Sequence, residues 1–177
     1  MSTIWVLDDG PFGLLARFFD PNQSWPAAVL HLVEEVAASA QNDKSGRRQK
    51  LLNLLDASGN ATVVVRRIVV GTAAADFLFK HLRPFSTSAT RDLGEDASIA
   101  LCAVELTESV FVTMDKGAAY QALAELGPGR VATPFDCWYE LKAAGLISEA
   151  SYKDICEATW KNGAIAGQPR RFPLPTS

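Results

Sequence analysis

Acidic side chains stand at the boundaries of predicted elements. Asp8 and Asp9 follow the apolar run Ile4-Trp5-Val6-Leu7, Asp115 follows Val110-Phe111-Val112-Thr113, and Glu95 and Asp96 occupy the first turn of a helix. Ligand sites of open α/β sheets lie beyond the carboxyl ends of strands, so Asp8 and Asp115 share one if their strands are parallel neighbours. Carboxylates gathered at close range repel one another, and the charged set needs a cation. Oxygen donors with few nitrogens or thiolates select Mg²⁺ or Mn²⁺ over zinc. Such an ion can acidify a bound water and clamp the oxygens of an in-line phosphoryl displacement. Taken singly, each acid also has the ordinary role of helix cap or dipole partner. Asp92, Glu105, Glu108 and Asp154 read as solvated surface.

The elements that must position these acids alternate between strand and helix. Residues 4–7 read as a buried strand. The break at Asp8-Asp9-Gly10-Pro11 opens a helix to about Phe19. The stretch 27–40 fits either one helix or a strand at 29–33 followed by a helix from Glu34; strand then helix is preferred. A helix is expected over 48–55, and β-prone strand over 63–65 and 68–70. A helix over 73–82 stops before Pro84, and a polar loop over 86–92 leads to a helix over 97–105. Strand 110–113, helix 117–126, strand 131–133, helix 134–144 capped by Gly145, and helix 149–161 complete the order. Such alternation predicts a three-layer α/β/α protein with a central, mostly parallel sheet. One domain over residues 1–161 and an irregular proline-rich tail over 162–177 are expected.

Composition narrows the class. No apolar run approaches the ~20 residues of a membrane span, and the first residues lack a basic leader region. Cys102, Cys137 and Cys156 are spaced for neither a zinc site nor a disulfide framework and read as plain buried thiols, which makes the cytoplasm the expected compartment. A net charge of −3 argues against a surface built throughout to hold nucleic acid, while leaving room for a local basic rim. His31 and His81 lie in apolar or amphipathic stretches and read as structural or surface residues.

Several segments carry a family resemblance. Val6-Leu7-Asp8 before a helix looks like the opening of PIN domains, and Asp96-Ala97-Ser98-Ile99 resembles their mid-chain helix. Val110-Phe111-Val112-Thr113-Met114-Asp115 is similar to the PIN strand that ends in Thr-x-Asp. Residues 124–134 and 141–147 resemble the C-terminal half of VapC-type toxins and their stand-alone relatives. The order of these pieces matches from about residue 3 to 156, and residues 92–148 are the most specific part. The resemblance implies a PIN-like fold and a Mg²⁺- or Mn²⁺-dependent endoribonuclease with a four-acid cluster. Asp8, Asp96 and Asp115 map onto it directly. The remaining acid comes from the helix after the second strand, Glu35 with Glu34 as competitor, and Glu95 is an alternative to Asp96. Thr113 is implied as a supporting hydroxyl. The chain departs from the family pattern in placing Asp9-Gly10-Pro11, rather than a small hydroxyl residue, just after the first acid.

RNA has to be held by cations. The candidates are Lys44, Arg47, Arg48, Lys50, Arg66, Arg67, Arg83, Arg91, Lys116, Arg170 and Arg171, each cluster also readable as solvated surface. For a toxin of the VapC type the resemblance implies an antitoxin in the acidic groove and a homodimer as partners; a stand-alone nuclease or a subunit of a larger system is the alternative, since the chain is longer than a minimal PIN toxin. A rival from another class keeps the fold and drops the chemistry: a PIN-like interaction module with vestigial acids. A phosphoacceptor receiver domain also has an early acidic pair, but it needs an aspartate after a central strand and a later Lys-Pro. Here Asp56 ends a helical pattern and Lys116 precedes glycine. Neither a phosphate-binding loop nor a nucleophile elbow is present.

Overall fold

A computed structural model describes residues 3–20, 30–54, 63–85 and 92–162. The expected features at 27–29, 58–60 and 86–91, Arg91, and the tail with Arg170 and Arg171 lie outside the described residues.

Five strands form one parallel sheet in the order β3-β2-β1-β4-β5. They are β1 (Trp5–Leu7), β2 (Leu30–Val33), β3 (Val63–Arg66), β4 (Val110–Val112) and β5 (Val131–Ala132). Every residue of β1, β2 and β4 is buried, which is why β1 and β4 read as continuous apolar runs rather than alternating ones; in β2 the buried His31 interrupts the run. The chain moves outward from β1 to β3 on one side, then returns to place β4 on the other. The strand order therefore reverses between β1 and β4.

Eight α-helices are described: α1 (Asp9–Phe18), α2 (Glu34–Ala37), α3 (Arg47–Asn53), α4 (Ala73–Asp76), α5 (Leu93–Val104), α6 (Lys116–Leu126), α7 (Pro134–Ala143) and α8 (Glu149–Asn162). Helix α1 packs against α3 and α8, and α5 packs against α4 and α6, giving a layer on each face of the sheet. The expected three-layer α/β/α architecture with a parallel sheet is what the chain adopts. Among the described residues, no helix is long and apolar enough to cross a membrane.

Two expectations fail locally. The strand foreseen over 68–70 does not form. Among the described residues, β3 is an edge strand paired with β2 alone, and the register ends at Val33 opposite Arg66, so the next residues have no ladder to join there. Val70 is left 90% exposed. The helix foreseen over 73–82 is α-helical only to Asp76 and continues as a π-helical turn over Phe77–Leu82. Smaller shifts move two helices: α3 spans 47–53 rather than 48–55, and α5 starts four residues before Ala97. Cys102 and Cys137 are buried thiols, as expected, while Cys156 is half-buried.

Candidate functional site

Asp8 follows β1 and serves as the N-cap of α1, its Oδ1 accepting from the Asp9 amide at 2.7 Å. Asp115 occupies the equivalent place after β4, and its Oδ1 accepts from the Ala118 amide at 2.8 Å as the N-cap of α6. The two acids thus have the ordinary capping role, and their strands are also hydrogen-bonded neighbours at the topological switch point. Thr113, fully buried, connects them. Its hydroxyl donates to Asp8 Oδ2 at 2.8 Å and accepts from the Asp115 amide at 3.0 Å.

Both acids line a cleft of about 470 Å³ with Glu95. A smaller adjoining hollow, about 280 Å³, brings Glu35 beside Asp8 and Glu95. Gly94 permits this approach of α5 to α2, since a Cβ there would lie 3.1 Å from Val36 Cγ2. The electrostatics carry the signature of crowded carboxylates. Glu95 is pushed up to about 7, first by burial and then by Asp8, Asp115, Asp92 and Asp96. Asp8 is also raised, chiefly by burial, against the lowering effect of its bonds from Thr113 and the Asp9 amide.

The structure separates the residues that the sequence left as alternatives. Glu34 is exposed and pairs with Arg67 at 3.2 Å, whereas Glu35 has a buried Oε2 with no hydrogen-bond partner. Asp96 is not brought to the cleft. Its Oδ2 accepts from Arg83 Nη1 at 2.5 Å and its Oδ1 from Gln121 Nε2 at 2.8 Å, so both oxygens brace α5 against α6 and the segment after the π-turn. Successive helical residues point about 100° apart; when Asp96 faces that buried brace, Glu95 faces the cleft.

A scan of protein-family models, a search of curated proteins and a search of solved structures found no match. The donors of the site are all oxygen, they repel one another, and one buried oxygen has no proton donor, which fits a hard divalent ion in kind. Their spacing as it stands is looser: among the described residues, no group of three or more His, Cys, Asp or Glu side chains is placed to hold one ion.

Of the basic candidates, Arg48 lines the cleft, while Lys44, Arg47 and Lys50 border hollows beside it. Arg83 is committed to Asp96, and Arg66 and Arg67 lie at the far edge of the sheet, bonded to His31 and Glu34. Lys116 lies 5.9 Å from the Tyr120 ring centroid, beside Asp115. His31 is buried and accepts from Arg66 at 3.2 Å, and His81 is exposed and paired with Glu125 at 2.9 Å, both in keeping with non-catalytic roles. Arg17, which also lines the cleft, is the residue that sequence reasoning missed. The spacing Gly10-Gly13-Arg17 places all three on one helical face beside Asp9, and that was the available signal.

Proposed function

We propose that this chain is a PIN-type endoribonuclease that uses Mg²⁺ or Mn²⁺ held by Asp8, Asp115, Glu95 and Glu35. The observation that carries the reading is the juxtaposition of Asp8 and Asp115 at the switch point of a parallel sheet, with Glu95 in the same cleft. When bound, such an ion supplies positive charge to the phosphodiester and lowers the pKa of an attacking water. The chain supplies position. Thr113 fixes the Asp8 carboxylate and the Asp115 backbone together, and the two helix caps limit how far either acid can turn. The carboxylates must draw together from the places they hold here. In this reading Glu95, not Asp96, completes the acidic set, and Asp96 is a structural brace. A homodimer and an antitoxin seated over the acidic cleft are the partners to look for. The free thiols suit a reducing cytoplasm.

A second reading has its own observation. The looseness of the acidic set and the full engagement of Asp96 suit an interaction module without chemistry. Cleavage of a single-stranded RNA in Mn²⁺, compared between the unmodified protein and D8N, D115N and E95Q, separates the two. The nuclease reading expects cleavage that each substitution lowers by at least about a hundredfold. Unmodified protein that does not cut, or cleavage undiminished in D8N and D115N, leaves the module.

A further inference from the structure

The cleft has a basic pole as well as an acidic one. Arg48 is held there firmly: its Nη1 donates to Asp9 Oδ1 and to Ser39 Oγ, each at 2.7 Å, and its guanidinium carbon lies 5.7 Å from the Phe12 ring centroid. Nη2 lies over Gly13, where a Cβ would come within 2.3 Å, so a glycine at that point of α1 is what gives the guanidinium its seat. Both Nη1 hydrogens are engaged, whereas Nε and Nη2 have no hydrogen-bond partner among the described residues.

Arg17 stands one turn beyond Gly13 on the same helical face, exposed, and lines the cleft too. It also borders a second hollow of about 230 Å³, shared with Arg47 and Lys50. Arg47 Nη1 donates to the Arg17 carbonyl at 3.1 Å, tying α3 to α1 at this point. Among the described residues, no carboxylate pairs with Arg17, Arg47 or Lys50. In a chain of net charge −3, this row of cations leading away from the acids runs against the overall balance.

We infer that the row Arg48, Arg17, Arg47 and Lys50 is a phosphate track that seats single-stranded RNA on the α1–α3 side of the acidic pole. The inference rests on the nuclease reading and adds a direction to it: the strand leaves the acids along α1 toward α3, not toward the arginines at the β3 edge. A row of cations leading out of a small cleft suits a flexible backbone followed phosphate by phosphate better than a rigid duplex. Arg48, already oriented by Asp9 and Ser39, offers its remaining N–H groups nearest the acids, and the unpaired cations beyond it supply the net positive charge.

The test is binding of a short fluorescein-labelled oligouridine, followed by anisotropy across a salt series in EDTA so that no cutting occurs. Each phosphate contact on a single strand contributes roughly 0.7 to the slope of log affinity against log salt. The R17Q/R47Q/K50Q variant is expected to bind about tenfold more weakly or worse, with a slope lower by about 2. The R66Q/R67Q variant is expected to match the unmodified protein. Should the triple variant fail to fold, R17Q alone, whose side chain makes no hydrogen bond among the described residues, is expected to lower the slope by about 0.7. No binding by the unmodified protein, an unchanged slope, or an equal loss in R66Q/R67Q overturns the track. A protein that binds through the track but does not cut RNA in Mn²⁺ overturns only the nuclease reading.

Discussion

Thr113 donates its hydroxyl proton to Asp8 Oδ2 at 2.8 Å, a bond between residues 105 positions apart. The same oxygen accepts from the Asp115 amide at 3.0 Å, so one buried hydroxyl sets the relation between the ends of the two central strands. The Asp8 carboxylate and the Asp115 backbone cannot shift without disturbing it, while the Asp115 carboxylate stays free of this bond.

Thr113→Val keeps the shape of the side chain and removes both bonds. Stability is expected to fall by about 1–3 kcal/mol, because the Asp8 carboxylate and the Asp115 amide lose a partner in a partly buried setting. Under the nuclease reading, Mn²⁺ affinity falls about 10- to 100-fold. Urea denaturation and calorimetric metal titration check the two effects, and Thr113→Ser is expected to restore most of each.

Glu95 gives a pH signature. Its carboxyl is raised from 4.5 to about 7 in the folded protein, so folding takes up protons near neutrality. The stability linked to the protonated form is fully present below pH 4.5 and is lost as pH rises through about 7. Glu95→Gln is therefore expected to melt at a higher temperature than the unmodified protein above pH 7, with the gap closing below pH 4.5. Adding Mn²⁺ at pH 8 is expected to raise the melting temperature of the unmodified protein and leave that of E95Q unchanged. Equal metal-induced shifts would remove Glu95 from the ligand set.

The neighbouring acid responds in the opposite sense. Asp96 and Arg83 are nearly enclosed, their side chains 9% and 7% exposed. Asp96→Asn removes the charge facing a buried guanidinium and is expected to destabilise the protein by about 3 kcal/mol or more. Chemical denaturation of D96N beside E95Q tests this reversal at adjacent positions. A D96N variant as stable as the unmodified protein, yet devoid of Mn²⁺ affinity, would return Asp96 to the metal.

His31 sets the acid limit. Burial, and then Arg66, lower its pKa from 6.5 to about 4. The unfolded chain therefore takes up a proton before the folded one does as pH falls. No penalty exists above 6.5, and it grows to roughly 3 kcal/mol by pH 4. His31→Leu is expected to flatten the stability profile across that window, measured by urea midpoints at successive pH values.

How much of this was legible beforehand varies with the physical origin of each feature. Buried parallel strands declare themselves as short apolar runs, so β1, β4 and β5 and the alternation of strand with helix could be read directly, as could the acids that follow β1 and β4. The stretch 27–40 fitted a helix as well as a strand and helix, and only the pairing of β2 with β1 decides between them. The stretch 68–70 has the same β-prone composition as Val63-Val64-Val65, yet it stays unpaired because a strand needs a partner, and β2 ends at Val33. Composition cannot report where a neighbour stops.

The sequence by itself determined the fold class, the positions of Asp8 and Asp115 at the tips of their strands, and the presence of an acidic residue at each further boundary. Only tertiary structure decided among adjacent candidates: Glu35 over Glu34, Glu95 over Asp96 at the cleft, and Arg17 with Arg48 as its basic pole. The reason is rotational. Neighbouring helical side chains diverge by about 100°, and which of them meets a cleft or a buried guanidinium depends on how the helix is turned by everything packed against it.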